Sequence, residues 1–508
     1  MYNGTQVNTR FFARISTFLG SRRFWYGVLI FFVLESLWVA LSARYPMAFD
    51  EDFHLGVIQI YSHHWLPFLT GQPDGANQYG ALQSDPSYLY HYLMSFPYRL
   101  LAAITDNQVV QVIALRLLNI PMVALALVLF RRVLLRTGTS AAYANTALAL
   151  FVLIPILPML AGQINYDNLL LPLVAWMCLL TFNAYTALRA RRIDCRTIAV
   201  LAIICLLASL VKYAFLPMAV VSVVFVLVGA VQGFYKQGWT AVKMAAVADY
   251  RQLSRRTVLM LAVLFVLATG LFVQRYGVNM VRYHTPIPSC DLVLDSDACS
   301  AYGPWLRNYE FAEAKGDSPV SMSPLGYSWR WLESLHYRLF FTVNGPYDDF
   351  RNYPPAPLPA AVAIVLAITG LVALVLFGRR VFAGQPLLVY AGAVTLFYAV
   401  VLWAEDYSQY VETGQPVAIN GRYLLPVLLL VAAVLARALH VAFSRTPRLK
   451  PIAAVLVLVL MLHGGGVLSF IVRSDADWYW QNSAVWHVNN AAQHVIDPLI
   501  IQGNKYYE

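Results

Sequence analysis

Of 508 residues, 59% are hydrophobic and only 12% charged, about half the charged fraction of a soluble globular domain. That composition excludes an ordinary soluble enzyme and points to an integral membrane protein. The formal charge of +10 does not imply nucleic acid, because Lys and Arg fall in short clusters between apolar runs, as in cytoplasmic loops of membrane proteins, and form no single basic face.

In chain order, Arg10, Arg14, Arg22 and Arg23 precede a first apolar run with no small-residue cleavage site after it, which reads as a retained anchor. Runs long enough to cross about 30 Å of hydrocarbon begin near Phe24, Val109, Ala141, Asn168, Ile198, Ala214, Thr257, Pro357, Pro386, Tyr423 and Pro451. The expectation is an all-α polytopic membrane protein with about eleven transmembrane helices. The run after Ile198 is short before Lys212, and its separation from Val211 to Phe234 is the weakest division. With a cytoplasmic N-terminus, the clusters at Arg131/Arg132/Arg136, Arg189/Arg191/Arg192/Arg196, Lys236 to Arg256, Arg379/Arg380 and Arg445/Arg448/Lys450 all fall inside. An odd number of spans then places the tail, residues 473–508, on the outer face, beyond a membrane domain of residues 1–472.

Two outer segments, 44–108 and 274–356, are too long to be mere connections. In the first, the stretches Leu55 to Leu69 and Tyr88 to Leu101 suit helices lying in the interface. The second is rich in Trp and Tyr and could build a small outer subdomain or a lid. It carries Cys290 and Cys299, which an oxidising periplasm would join as a disulfide. Cys178, Cys195 and Cys205 read as apolar fillers or free thiols, and no cysteine group has zinc-ligand spacing. No fixed-period repeat is present.

Residues able to do chemistry gather where the chain leaves the bilayer. Asp50-Glu51-Asp52-Phe53-His54 follows the first span, and a half-dehydrated carboxylate there could take a proton from an acceptor hydroxyl; the plainer reading makes Asp50 a helix cap. Asp167, in Asn165-Tyr166-Asp167-Asn168, falls on the same face, either capping a helix or orienting an acceptor or a cation. Lys212 is the only cation in a long apolar stretch, where an ammonium must snorkel or find an anion. Arg422-Tyr423 supplies a second cation at that depth, suited to bidentate contact with phosphate oxygens. Glu35, in mid-span, either serves a proton path or bonds a neighbouring helix. His54, His63 and His64 are close enough in sequence to allow a divalent metal, although aromatic-belt or hydrogen-bonding roles are more usual.

These residues resemble the GT-C glycosyltransferases, polytopic enzymes that use polyprenyl-phosphate sugars and include protein O-mannosyltransferases and the aminoarabinose transferases of lipid A. Asp50-Glu51-Asp52-Phe53-His54 is similar to the family's DE-x-aromatic pattern, whose first acid is the proposed base. Asp85-Pro86-Ser87-Tyr88-Leu89-Tyr90 resembles a Pro-Pro-Leu-Tyr stretch, with Ser in place of the second Pro and without the His that often precedes it. Leu115-Arg116-Leu117-Leu118-Asn119, Asn165-Tyr166-Asp167-Asn168 and Leu210-Val211-Lys212-Tyr213 follow in family order. Asn420-Gly421-Arg422-Tyr423-Leu424-Leu425-Pro426 resembles a GRYLLP signature of relatives grouped with these enzymes. The resemblance does not extend to the tail after Val472.

The resemblance implies a GT-C-like bundle in a bacterial inner membrane. There the protein would pass a sugar from a polyprenyl phosphate to a hydroxyl of a glycan, lipid or protein at the outer face, with a single inverting displacement as the expectation. Asp50 or Glu51 would be the base, Lys212, Arg422 and Tyr423 would bind the donor phosphate, and Asp167 and His54 would position the acceptor. The resemblance fixes no cofactor and leaves a divalent metal open. The competing readings are a transporter or flippase of a lipid-linked saccharide, which would favour broken mid-membrane helices and buried coupling charges, and a scaffold subunit, which would not need Asp50 and Lys212 together.

Overall fold

The computed structural model describes residues 3–341, 356–446, 448–474 and 476–500. Parts of the second outer segment (342–355) and of the tail (475 and 501–508) therefore lie outside the described residues. The chain is a helical membrane protein, and among the described residues the only β-pairing is an isolated bridge between Ala43 and Tyr479.

The helices are α1 (Asn3–Leu19), α2 (Arg22–Ser42), α3 (Glu51–Ser62), α4 (Leu89–Ile104), α5 (Gln108–Arg136), α6 (Ala141–Val152), α7 (Ile156–Ala161), α8 (Asp167–Arg189), α9 (Cys195–Val211), α10 (Leu216–Phe234), α11 (Gly238–Tyr250) and α12 (Arg255–Phe272). There follow α13 (Val278–Tyr283), α14 (Cys290–Val293), α15 (Ser296–Ser300), α16 (Gly303–Lys315), α17 (Pro324–Leu339), α18 (Pro357–Phe382), α19 (Pro386–Thr413), α20 (Leu425–Ala442), α21 (Leu449–Leu462), α22 (Leu468–Arg473) and α23 (Ser483–Ile496). Polar side chains fix several starts: Ser21, Asn107, Ser140, Asp194 and Ser254 each accept a backbone N–H of the first turn, which would otherwise go unpaired.

Eight helical stretches among the described residues are long and apolar enough to cross a bilayer: Arg22–Ser42, Gln108–Arg136, Asp167–Arg189, Tyr213–Phe234, Arg255–Tyr283, Pro357–Phe382, Pro386–Thr413 and Gly421–Ala442. The remaining three apolar runs form shorter helices, α6, α9 and α21. α8 is the most enclosed, packed on α5, α9 and α10, whereas only 11% of the apolar window in Arg255–Tyr283 is buried against protein. A helix with that much exposed Leu and Val requires lipid around it.

The boundaries differ from the sequence reading in instructive places. The helix expected to end near Gln274 continues through a π-turn at Val273–Gly277 to Tyr283. Buried Arg275 leaves that turn to donate to the Pro67 and Gln83 carbonyls and to Tyr61 Oη, tying the fifth long span to the first outer segment. In that segment α4 takes the expected place, but α3 stops at Ser62, well short of Leu69. The tail begins by pairing with the C-terminal end of α2: Arg44 N donates to Trp478 O at 2.8 Å, and Trp480 N donates to Ser42 O at 3.1 Å.

Two short helices are halves of interrupted ones. α6 breaks before α7 at residues 153–155, α21 breaks before α22 at 463–467, and the breaks meet: Gly466 N donates to Leu153 O at 2.7 Å. Val467 N donates to Glu35 Oε1 at 2.9 Å, so the mid-span carboxyl satisfies backbone that the break frees. Gly466 sits at φ +59°, and a Cβ there would run into Glu35 Oε1. Glu35 thus bonds a neighbouring helix break, one of the two roles its sequence position allowed.

Candidate active site

Asp50 and Glu51 are adjacent in sequence but the backbone sends them apart. Phe49 and Asp50 both have positive φ, +72° and +70°, a conformation strained for a bulky residue and found where surrounding contacts enforce it. Here the enforcing contacts fall on the Phe49 carbonyl, which accepts from Arg422 Nη1 at 2.7 Å and from Asn165 Nδ2 at 3.1 Å. Asp50 stands at the N-cap position of α3 but caps nothing. Its carboxylate instead receives Arg422 Nη2 at 2.5 Å, and its side chain is 53% exposed.

Glu51 is wholly buried, with both oxygens committed. Oε1 accepts from Arg116 Nε at 2.7 Å and Ile164 N at 3.1 Å; Oε2 accepts from Arg116 Nη2 at 2.6 Å and Met47 N at 2.8 Å. Arg116 Nη1 donates in turn to Ala43 O at 2.5 Å, and the Trp480 ring lies 5.6 Å from its guanidinium carbon. Such a carboxylate has no face left to meet an acceptor hydroxyl. In the structure it staples α5, the exit of α2 and the 163–166 turn, and so holds Asp50 in place.

Asp167 opens α8, and the capping bond there is made by Asn165 Oδ1, which accepts Asp167 N at 3.0 Å. The Asp167 carboxylate is therefore free to pair with Lys212, whose Nζ donates to Oδ1 at 2.6 Å, while Arg422 Nε lies 3.8 Å from Oδ2. Lys212 sits in extended backbone between α9 and the turn Tyr213–Phe215, so it does not snorkel along a helix. Its ammonium is 4.6 Å from each of the Tyr166 and Tyr423 ring centroids, an aromatic clamp that suits a desolvated cation.

Arg422 reaches the network because Gly421 lets its turn press against α17. A Cβ at Gly421 would stand 2.5 Å from Leu335 O and 2.7 Å from Leu339 N. Asn420 Oδ1 then accepts Arg422 N at 3.0 Å and fixes the turn. Asp50, Arg422, Asp167 and Lys212, from four separate turns, thus form one chain of charges, with Tyr423 beside both cations. In the second outer segment, Tyr302 and Arg307 lie within electrostatic reach of Asp50.

His54 is buried beneath this network and not open to an acceptor. Its Nδ1 is 2.8 Å from His91 Nε2, and its ring meets Tyr166 edge-on at 4.6 Å. Burial pushes His54 well below its ordinary range, with His91, Arg422 and Lys212 adding to the effect; burial likewise holds His91 down to about 3. Both rings are neutral at physiological pH and join α3 to α4 by one hydrogen bond. His63 is exposed at the end of α3, and no group of three or more His, Cys, Asp or Glu that could hold a metal ion occurs among the described residues. Cys290 and Cys299 are joined as a disulfide that links α14 to α15.

Sequence reasoning left three structural partners unassigned. Arg116 carried a signal, since a cation inside an apolar run must be paired, and Arg275 the same one more weakly. His91, set in an aromatic run, carried none. No protein-family model matches the chain, and no curated protein matches it with significance.

Proposed function

We propose that the protein is a polytopic glycosyltransferase that moves a sugar from a polyprenyl phosphate to an acceptor hydroxyl at the outer face of a bacterial inner membrane. In this reading α6 with α7, α9, and α21 with α22 complete eleven crossings, the N-terminus is cytoplasmic and the tail is outside. The observation that carries it is the half-exposed Asp50 carboxylate held on Arg422, with Lys212 and Asp167 behind it. A displacement at an anomeric carbon needs a base on one side and cations for a departing phosphate on the other.

Asp50 takes the proton of the acceptor hydroxyl as its oxygen bonds to the anomeric carbon, and the bond from that carbon to the phosphate oxygen breaks with its electron pair on the phosphate. Arg422 and Lys212 stabilise the charge that develops there. Asp167 holds Lys212, and Tyr423 and Tyr166 keep water from it. Opposite-side attack inverts the anomeric configuration.

A second reading, transport of a lipid-linked saccharide, is favoured by one observation: two interrupted helices meeting at buried Glu35, the arrangement transporters use near the membrane midplane. The two separate cleanly in nanodiscs and liposomes supplied with a polyprenyl-phosphate sugar and a cell-envelope acceptor fraction. Release of free polyprenyl phosphate that depends on Asp50 supports the transferase. Movement of the intact lipid between leaflets, with no bond cleaved, would overturn it in favour of transport.

A further inference from the structure

α11 joins the ends of α10 and α12 that lie farthest from the Asp50 network, so spanning helices hold both its ends at the level of one membrane face. Its residues Ala241, Val242, Ala245 and Ala246 pack on Leu188, Ile193 and Phe234. The other half of the helix is uncovered: Trp239 is 79% exposed and Met244 63%, and Val247 and Tyr250 are exposed beside them. Lys236, Lys243 and Arg251, all exposed, stand on or next to that half, and exposed Arg255 and Arg256 follow. The one acid of the helix, Asp249, is turned inward, where it accepts Cys195 N at 2.8 Å at the start of α9. The uncovered half is therefore apolar and aromatic in body and basic in charge.

A helix of this kind, tethered at the level of the headgroups, has its complement in an anionic lipid surface. Apolar and aromatic side chains enter the acyl boundary while Lys and Arg meet phosphate oxygens. We infer that α11 lies in the plane of the bilayer on the face opposite the Asp50 network and binds anionic lipid through Lys236, Lys243 and Arg251, with Trp239 and Tyr250 seated at the interface. The flanking spans fix its depth, so the uncovered half faces lipid from the moment the chain is inserted.

The test is hydrogen exchange of the full-length chain in nanodiscs of phosphatidylcholine alone or mixed with phosphatidylglycerol. Amides of 239–250 should exchange about tenfold more slowly with the anionic lipid, a conservative share of what three basic residues contribute at such a surface. The triple variant Lys236→Gln/Lys243→Gln/Arg251→Gln should lose that difference while matching the parent in phosphatidylcholine and keeping the Cys290–Cys299 disulfide. Equal exchange of the parent chain in both lipids would overturn the inference and give the face to a protein partner, and so would a difference that survives in the triple variant.

Discussion

Replacing Asp50 with Asn separates two roles that the ion pair combines. The 2.5 Å contact to Arg422 involves a carboxylate 53% exposed, so its strength is that of a solvent-screened pair, about 1 kcal/mol. Within the proposed mechanism, a donor phosphate must take Arg422 from this carboxylate, and removing the competitor should tighten binding of polyprenyl phosphate about fivefold, the equivalent of that energy. The same change removes the base, and turnover should fall by about two to four orders of magnitude. Donor affinity and turnover therefore move in opposite directions, a signature that simple misfolding does not give. The assay is equilibrium binding of labelled polyprenyl phosphate to protein in nanodiscs, beside release of polyprenyl phosphate from the sugar donor. Full turnover by Asp50→Asn would refute the base assignment; donor binding weakened tenfold would refute the idea that carboxylate and phosphate compete.

Four further outcomes follow from the geometry. Glu51→Gln or Arg116→Met alone leaves half of a buried pair and should destabilise the protein by about 3–5 kcal/mol, whereas the double variant should lose less than either; additive losses in thermal unfolding would contradict the pairing. Lys212→Met should weaken polyprenyl-phosphate binding tenfold to a hundredfold, the usual range for a charge-assisted hydrogen bond of about 1.5–3 kcal/mol, with turnover at saturating donor changing less than in Asp50→Asn. The His54–His91 pair sets a pH dependence with a definite sign. Both folded-state values lie below the unfolded value of about 6.5, so the stability they contribute is present above that pH and is lost as pH falls, for His91 toward about 3, at up to about 1.4 kcal/mol per unit for each ring; a melting temperature flat from pH 7 to 5, or unchanged in slope by His91→Gln, would contradict this. Reporter fusions at Gly303 and after Arg473 should report the outer compartment, and fusions near Gln237 and Thr446 the cytoplasm.

The spans were readable because lipid imposes a composition that survives without any knowledge of partners. Each of the eleven apolar runs is helical, and the doubtful division before Ala214 occurs at Lys212 itself, in extended backbone. The lengths were less readable. α6 and α21 look from composition like ordinary spans, and their breaks depend on Leu153, Gly466 and Glu35 meeting from distant parts of the chain. Within the site, residue types and the shared face could be read, but the separate partners of Asp50 and Glu51 could not. Those partners follow from two left-handed residues and lie 372 and 65 positions away, information no local pattern contains. The same holds for the tail, which the span count places beyond the membrane domain without showing that Trp478 and Trp480 bond to the end of α2.

Pairing also changes how the two cations must work. Read from the sequence, Lys212 and Arg422 are open charges waiting for an anion. In the folded chain each already holds a carboxylate, and the four charges sum to zero. A neutral cluster draws an anion in by exchange, not by net charge, and the two carboxylates differ in what exchange costs. Asp167 is 4% exposed and lies between both cations; freeing it would strand a charge in a place with little water. Asp50 is half in solvent and can leave Arg422 cheaply. In the proposed reaction a phosphate entering the network would therefore displace Asp50 and not Asp167, and the displaced group would be the carboxylate of the four-charge network that solvent, and hence an acceptor hydroxyl, can reach.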